Sequence, residues 1–185
     1  NHLIDEDDQY FKKATWQKML LGNVFNQHIG ETDAVCYIDS DILISPSARN
    51  PFDFYSGEHI GLVSLFNNIP YDRTDTLKKI SVFRKSFEDS SYPLDSAIHM
   101  NIDELYEYHG LDAQKNFACM GFIMFNPRLH AELMDNWFKN YKKDLYTITG
   151  GDQTHYNYEI FNSGCVELLP YGFQAIWSYE VANRY

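Results

Sequence analysis

The chain has 185 residues and a formal net charge of −11. This length suits one domain with a sizeable core, and we expect residues 1–185 to form a single domain that is incomplete at both ends. The acidity argues against nucleic acid as a partner, because nucleic-acid binding depends on cationic side chains that neutralise phosphates. An anionic ligand would need a local positive charge, which a bound divalent cation would supply.

The cysteines do not indicate a disulfide framework. Cys36, Cys119 and Cys165 are odd in number and lack the close spacing of metal ligands. No apolar run reaches transmembrane length, so we predict no membrane segment in this chain. The sequence also contains no Asn-x-Ser/Thr sequon, which slightly favours a cytoplasmic setting.

The first third of the chain predicts one helix and two strands. Apolar residues recur at helical spacing over 9–28, and Gly30 ends this amphipathic helix. Residues 34–38 form a short apolar run with a bias towards β-branched residues, which predicts a buried strand. Residues 60–65 predict a second strand. Residues 67–93 show little pattern and predict at most one helix.

The rest of the chain alternates between helices and strands. A short helix from residue 102 is closed by Gly110, and a third strand covers 121–126. Asn126 and Pro127 are suited to the N-cap and the first position of a helix. The apolar face predicted for that helix consists of Leu129, Leu133, Trp137 and Tyr141. The segments GGDQTHYNYEIF and CVELLP predict a last helix and a last strand, so the fold class is α/β.

Two aspartates, Asp39 and Asp41, follow the first predicted strand. In an extended chain alternate side chains point to one side, and open α/β sheets bind ligands beyond the C-terminal ends of their strands. Two carboxylates there suit Mg²⁺ or Mn²⁺. The alternative is a turn in which Ser40 and the aspartates bond to backbone N–H groups. The pair alone is a weak signal, because a chain with 16 Asp also contains Asp5 and Asp7 at the same spacing.

Two protein families show an apolar strand that ends in this pattern. CYIDSDILI resembles the DxD motif of GT-A glycosyltransferases, and it also resembles the start of haloacid-dehalogenase-type phosphatases. The phosphatase pattern has Thr or Val where this chain has Leu43. It also has a second Asp four or five residues after a late Gly-Asp, where this chain has Tyr156 and Asn157.

Four further segments resemble glycosyltransferase family 8 and its relatives, in the family's order. They are ATWQKMLLGNVF, ACMGFIMFNPRLHAELMDNWF, GGDQTHYNYEIF and ELLPYGFQAIW. One departure is Cys119, where the family usually has an Asn whose amide bonds the sugar. The resemblance implies a GT-A-like mixed sheet flanked by helices. Little chain precedes the first helix, so we interpret the chain as N-terminally truncated relative to that fold.

The resemblance also implies roles for single residues. Asp39 and Asp41 would hold Mn²⁺ or Mg²⁺ on the diphosphate of a nucleotide-sugar, with Asp39 and Ser40 also contacting the donor. Lys18 would lie near the phosphates or the sugar, although Lys12 and Lys13 are rivals and a solvated lysine is the alternative. Gly121 would line the sugar pocket.

The late segments complete the predicted site. Asp152 would bond sugar hydroxyls or act as a base, unless it only caps the helix that it opens. Gln153 would place its amide under the anomeric carbon. Trp177 and Tyr171 would form a stacking face for the sugar, although core packing suits at least one of them. The only late histidine, His155, is more typical of a structural residue than of a metal ligand.

These observations predict a metal-dependent glycosyltransferase. The donor would be a nucleotide-sugar, with a UDP-sugar as the first choice. The acceptor would be an unknown saccharide, protein or lipid. Two alternatives stay open: a haloacid-dehalogenase-type phosphatase or phosphotransferase, and a non-catalytic, sugar-binding remnant of the GT-A fold.

Overall fold

Four strands form one mixed sheet in the computed structural model, which describes residues 3–28, 32–76, 78–79, 102–142 and 152–184. The strands are β1 (Val35–Ile38), β2 (Ile60–Ser64), β3 (Ala118–Phe125) and β4 (Val166–Leu168). Their order is β1-β3-β2-β4, with β3 antiparallel to both neighbours and β4 parallel to β2. The α/β class and all four predicted strands are confirmed.

The pairing of β3 with β2 is interrupted in the middle of both strands. Leu62 pairs with Ile123, but the next residue, Val63, pairs with Cys119. Residues 120–122 of β3 therefore have no partner opposite them on β2. A bulge of this kind leaves backbone groups outside the regular ladder, where side chains can reach them. Bulges are common beside binding sites, and the candidate site is built on this one.

Besides the helical residues 73–76 and 78–79, six helices accompany the sheet in the described ranges. They are α1 (Ala14–Gln17), α2 (Leu21–His28), α3 (Ile102–Tyr108), α4 (Pro127–Asn140), α5 (Gln153–Ser163) and α6 (Trp177–Arg184). None of these described helices is long and apolar enough to cross a membrane. The helix predicted between residues 67 and 93 lies largely outside the described residues.

The first predicted helix is divided in the structure. Helical structure begins at Ala14 rather than at residue 9, and a 3₁₀ turn, Lys18–Leu20, separates α1 from α2. The 3₁₀ turn is fully buried. It carries Lys18 at its first position, so the departure from a regular helix occurs where a charged side chain enters the interior.

Helix α4 begins as predicted and buries most of the predicted face, since Trp137 is buried and Leu133 and Tyr141 pack against the core. The Asn126 side chain accepts a hydrogen bond from the backbone N–H of Arg128 at 3.0 Å, and Pro127 occupies the first turn. The prediction that Leu129 belongs to the buried face is wrong, because this side chain is 59% exposed. The buried residues of α4 are Pro127, His130, Ala131, Met134, Trp137 and Phe138.

The core consists of two apolar clusters. One contains Trp16, Met19, Met134, Trp137, Tyr156 and Ile160, together with residues of β1, β2 and β3. The other contains Tyr106, Phe117, Leu169, Tyr171, Ile176 and Tyr179, with the remaining residues of β2 and β3. Because β2 and β3 contribute to both clusters, they are buried on both faces, which explains their nearly continuous apolar sequences.

Helices α2 and α4 approach closely at Gly22. A Cβ atom at this position would lie 2.8 Å from the Cα and 2.9 Å from the Cβ of Ala131. Contacts this short require the two helix backbones to separate. The absence of a side chain at Gly22 therefore sets the distance between the helices.

We expect Gly22→Ala to destabilise the fold. Alanine gains up to about 1 kcal/mol in helix propensity, but overpacking costs about 1–3 kcal/mol. The net loss should be about 1–2 kcal/mol in the free energy of urea-induced unfolding. Gly172→Ala is the control, since no described atom lies within 4 Å of its Cβ position. A Gly22→Ala variant as stable as the wild type would contradict this account of helix packing.

Candidate functional site

The chain turns immediately after β1. The backbone N–H of Asp39 donates to the Gly121 carbonyl at 2.8 Å, which extends the β1–β3 pairing by one residue. The N–H of Ile42 then donates to the Asp39 carbonyl at 3.2 Å, closing a turn through Ser40 and Asp41. This differs from the extended geometry that we expected for the two aspartates. The hydrogen bond between Ile42 and Asp39 bends the chain, so strand alternation does not set the direction of Asp41.

Asp39 lies at the border between the interior and solvent. Its side chain is 36% exposed and accepts a short hydrogen bond from the hydroxyl of Tyr37 through Oδ1. The pKa of Tyr37 is raised, first by burial and then by the hydrogen bond to Asp39 and nearby negative charges. Tyr37 therefore remains a donor to the carboxylate. Sequence reasoning missed Tyr37, although strand alternation places it on the same side of β1 as Asp39.

Lys18 is the buried positive charge of this region. Its ammonium group donates to the Met120 carbonyl at 3.0 Å and lies 3.1 Å from Oδ2 of Asp152 and 3.9 Å from Oδ1 of Asp39. It also lies 5.4 Å from the centre of the Tyr37 ring. The alternative of a solvated lysine is wrong, because Lys18 is only 7% exposed.

The two rival lysines lie elsewhere. Lys12 is buried and donates to the Phe138 carbonyl at 2.7 Å, near the C-terminus of α4. Burial lowers the pKa of Lys12 to about 8, and the charge of Asp8 partly offsets this effect. Lys13 is exposed. Of the three lysines, Lys18 is therefore the one that lies beside Asp39.

Asp152 is buried at the N-cap position of α5. In the described part of the chain its side chain does not cap the helix, so the alternative of a simple capping residue is wrong. Its contact with Lys18 at 3.1 Å is an ion pair without the alignment of a hydrogen bond. Burial raises the pKa of the Asp152 carboxyl to about 6, although Lys18 opposes this shift.

Gly121 lies at the centre of the bulge in β3, between two side chains. A Cβ atom at this position would lie 2.6 Å from Nε2 of Gln174 and 3.0 Å from Oδ2 of Asp39. Gln174 is 8% exposed and follows the 3₁₀ turn Tyr171–Phe173. Sequence reasoning missed Gln174, because only the folded chain brings it to β3.

The other predicted residues lie at varied positions. Gln153 is half-buried and donates to the Ala118 carbonyl of β3 at 3.3 Å. Ser40 is exposed in the turn after β1. Trp177 is 69% exposed at the start of α6. The core role expected for at least one aromatic residue fits Tyr171, which is buried and accepts a hydrogen bond from the N–H of Ile176 at 3.1 Å.

Asp41 and His155 differ in their relation to the cluster. Asp41 is exposed, and its charge helps to raise the pKa of both Tyr37 and Cys119, after burial and other causes. Asp41 therefore acts on the same region as Asp39. His155 is buried among aromatic rings, with its centre 5.5 Å from that of Trp16 and 4.6 Å from that of Tyr141, as expected of a structural histidine.

The residues available for a metal ion are two carboxylates. Within the described residues there is no group of three or more His, Cys, Asp or Glu side chains that could hold a metal ion. Mg²⁺ commonly retains several waters and is bound by one or two carboxylates and substrate phosphates. Asp39 and Asp41 are both reachable from solvent, but the described residues show no metal site at them.

We compared the chain with protein-family models, with curated proteins and with solved structures, and none of the three comparisons found a significant match.

We expect Asp152→Asn to change how stability depends on pH. The pKa of Asp152 is about 6 in the folded chain and would be near 3.8 when unfolded. Between these values the folded state binds more protons, so the wild type loses stability as pH rises from about 4 to about 6. Each pKa unit corresponds to about 1.4 kcal/mol, so the loss should be roughly 3 kcal/mol.

Urea-induced unfolding at several pH values tests this expectation. The stability of Asp152→Asn relative to the wild type should rise between pH 4 and 6, whereas Asp7→Asn, at an exposed position, should follow the wild type. The attraction of Lys18 is already contained in the pKa of about 6, so its loss in the variant needs no separate correction. Parallel curves for Asp152→Asn and the wild type would contradict the raised pKa.

Proposed function

We propose that this chain is a metal-dependent glycosyltransferase domain that moves a sugar from a nucleotide-sugar to a saccharide, protein or lipid acceptor. One observation carries the proposal. Lys18, Asp39 and Asp152 come from three separate segments that resemble glycosyltransferase family 8. A carboxylate oxygen of each aspartate lies within 4.0 Å of the Lys18 ammonium group. The meeting point lies at the C-terminal end of β1, where open α/β sheets bind their ligands.

The charges of the site suit an anionic donor. The chain carries a net charge of −11, so it needs local positive charge to bind a diphosphate. Lys18 lies beside Asp39, but Asp152 and Asp39 offset its charge, so further positive charge must come from a cation. Asp39 and Asp41 would hold Mn²⁺ or Mg²⁺, which when bound offsets the charge on the leaving diphosphate. We expect the nucleotide to be UDP.

The residues of the interior suit transfer to an acceptor hydroxyl. In the reaction the bond between the sugar C1 and the diphosphate oxygen breaks, the acceptor oxygen bonds to C1, and its proton leaves. A carboxylate with a pKa of about 6, such as Asp152, is mostly ionised at neutral pH and can accept that proton or a hydrogen bond from a sugar hydroxyl. The contact with Lys18 holds this carboxylate in place. Gln153, held against β3, would contact the sugar from the same side.

A non-catalytic sugar-binding domain is the second candidate. It is favoured by the engagement of both interior carboxylates within the chain, Asp39 by Tyr37 and Asp152 by Lys18. The small number of carboxylates near Asp39 in the described residues also fits weak metal binding. This candidate would keep the sugar site and lack turnover.

Asp41→Ala should weaken the binding of UDP in the presence of Mn²⁺ by tenfold or more, since a hard cation would lose one of its two carboxylate ligands. The stability should not change, because Asp41 is exposed. Isothermal titration calorimetry with UDP and Mn²⁺ measures the affinity, and a rise in the melting temperature with ligand gives a second readout. The matched control is Asp7→Ala, in the other exposed Asp-x-Asp pair of the chain.

The outcomes separate the candidates. Binding of UDP that does not need Mn²⁺, or that Asp41→Ala leaves unchanged, would contradict the metal-dependent proposal. Binding of a UDP-sugar without transfer or hydrolysis would favour the non-catalytic domain. Hydrolysis of a generic phosphate ester that Asp39→Asn abolishes would favour the phosphatase alternative.

A further inference from the structure

Gln174 reaches the bulge in β3 from a distant part of the chain. It leaves the 3₁₀ turn Tyr171–Phe173 and extends to Gly121, where its Nε2 would lie 2.6 Å from a Cβ atom. The same Cβ position lies 3.0 Å from Oδ2 of Asp39. The carboxamide of Gln174 and the carboxylate of Asp39 therefore flank one glycine. Any side chain at position 121 would displace one or the other.

The carboxamide of Gln174 is incompletely bonded. Its Oε1 atom is buried and has no hydrogen-bond partner in the part of the chain that the structure describes. Gln174 itself is only 8% exposed. Buried polar atoms in folded proteins are nearly always bonded, and leaving one without a partner is costly. Nε2 is the atom of Gln174 beside Gly121, and the unpartnered oxygen belongs to the same carboxamide, so a ligand group that donates to it would complete the bonding of Gln174.

The surroundings restrict what that group is. A phosphate oxygen only accepts hydrogen bonds, so it cannot satisfy a carboxamide oxygen. A hydroxyl group both donates and accepts. It can donate to the carboxamide oxygen of Gln174 or, in the other orientation of the amide, accept from the nitrogen and donate to Asp39.

We propose that Gln174 is a specificity-determining residue that binds a hydroxyl group of the donor sugar beside Gly121. This inference rests on the proposed function and assigns a residue that reads the sugar. Lys18 bonds to the neighbouring Met120 carbonyl, and in the proposed function it would lie nearer the phosphates. Gln174 then distinguishes a UDP-sugar from UDP alone, and one sugar from another that lacks the hydroxyl.

The test uses Gln174→Met, which replaces the carboxamide by an apolar group of similar shape. Isothermal titration calorimetry with Mn²⁺ compares UDP, UDP-glucose and UDP-galactose. We expect unchanged binding of UDP and about tenfold weaker binding of the sugar nucleotide that the wild type prefers, the effect of losing one buried hydrogen bond. Gln27→Met, at an exposed position on α2, should match the wild type in every titration.

Thermal unfolding separates recognition from a structural role. Because the variant removes an acceptor without a partner, its melting temperature should equal or exceed that of the wild type. A structural glutamine would instead give a less stable variant with equal losses for UDP and for the sugar nucleotides. That second pattern would overturn the inference.

Singly deoxygenated analogues of the preferred sugar nucleotide identify the hydroxyl. The wild type should bind one analogue about tenfold more weakly than the parent, and Gln174→Met should bind the two equally. Wild-type protein that binds UDP with Mn²⁺ but does not distinguish any of these sugars would overturn the inference and leave the proposed function standing. Wild-type protein that binds neither UDP nor the sugar nucleotides would overturn both.

Discussion

The site is arranged around the buried ammonium group of Lys18, which needs partners in the interior. Lys18 is almost fully buried, and a charge in the interior is tolerated only when it is paired and hydrogen-bonded. Its partners are the Met120 carbonyl, Asp152 and, more distantly, Asp39. The Met120 carbonyl lies in the stretch of β3 that has no partner on β2, so the bulge leaves it accessible to Lys18. One side chain thus links the first helical segment, the sheet and the start of α5.

Three residues around this ammonium group have features that are unfavourable for folding. Asp152 is an acid kept in the interior with a raised pKa, Gln174 leaves an acceptor without a described partner, and Gly121 gives up the packing of a side chain. Each of these features costs stability. Together they lie at one end of β1, and unfavourable features of this kind are retained most often at binding or catalytic sites.

Local signals in the sequence predicted much of the fold but only part of the site. The strands and the Asn126–Pro127 helix start follow from patterns within a few residues, and the structure contains them. The 3₁₀ turn at Lys18 and the bulge at Gly121 were not predictable, because each results from contacts between distant segments. Lys18, Asp39 and Asp152 were found through the order of motifs. Gln174 gave no signal, since nothing in its neighbourhood indicates that it crosses to β3.

The long sequence separation of these contacts has a consequence for the folding of the chain. The bond from Lys18 to Met120 spans 102 residues, and the bond from the Tyr156 hydroxyl to the Trp16 carbonyl spans 140. Contacts between residues so far apart in the sequence form slowly, because a long loop must close before the contact is made. The N-terminal segment that carries Lys18 therefore cannot complete its contacts with β3 and with Asp152 until the chain as far as α5 has been synthesised.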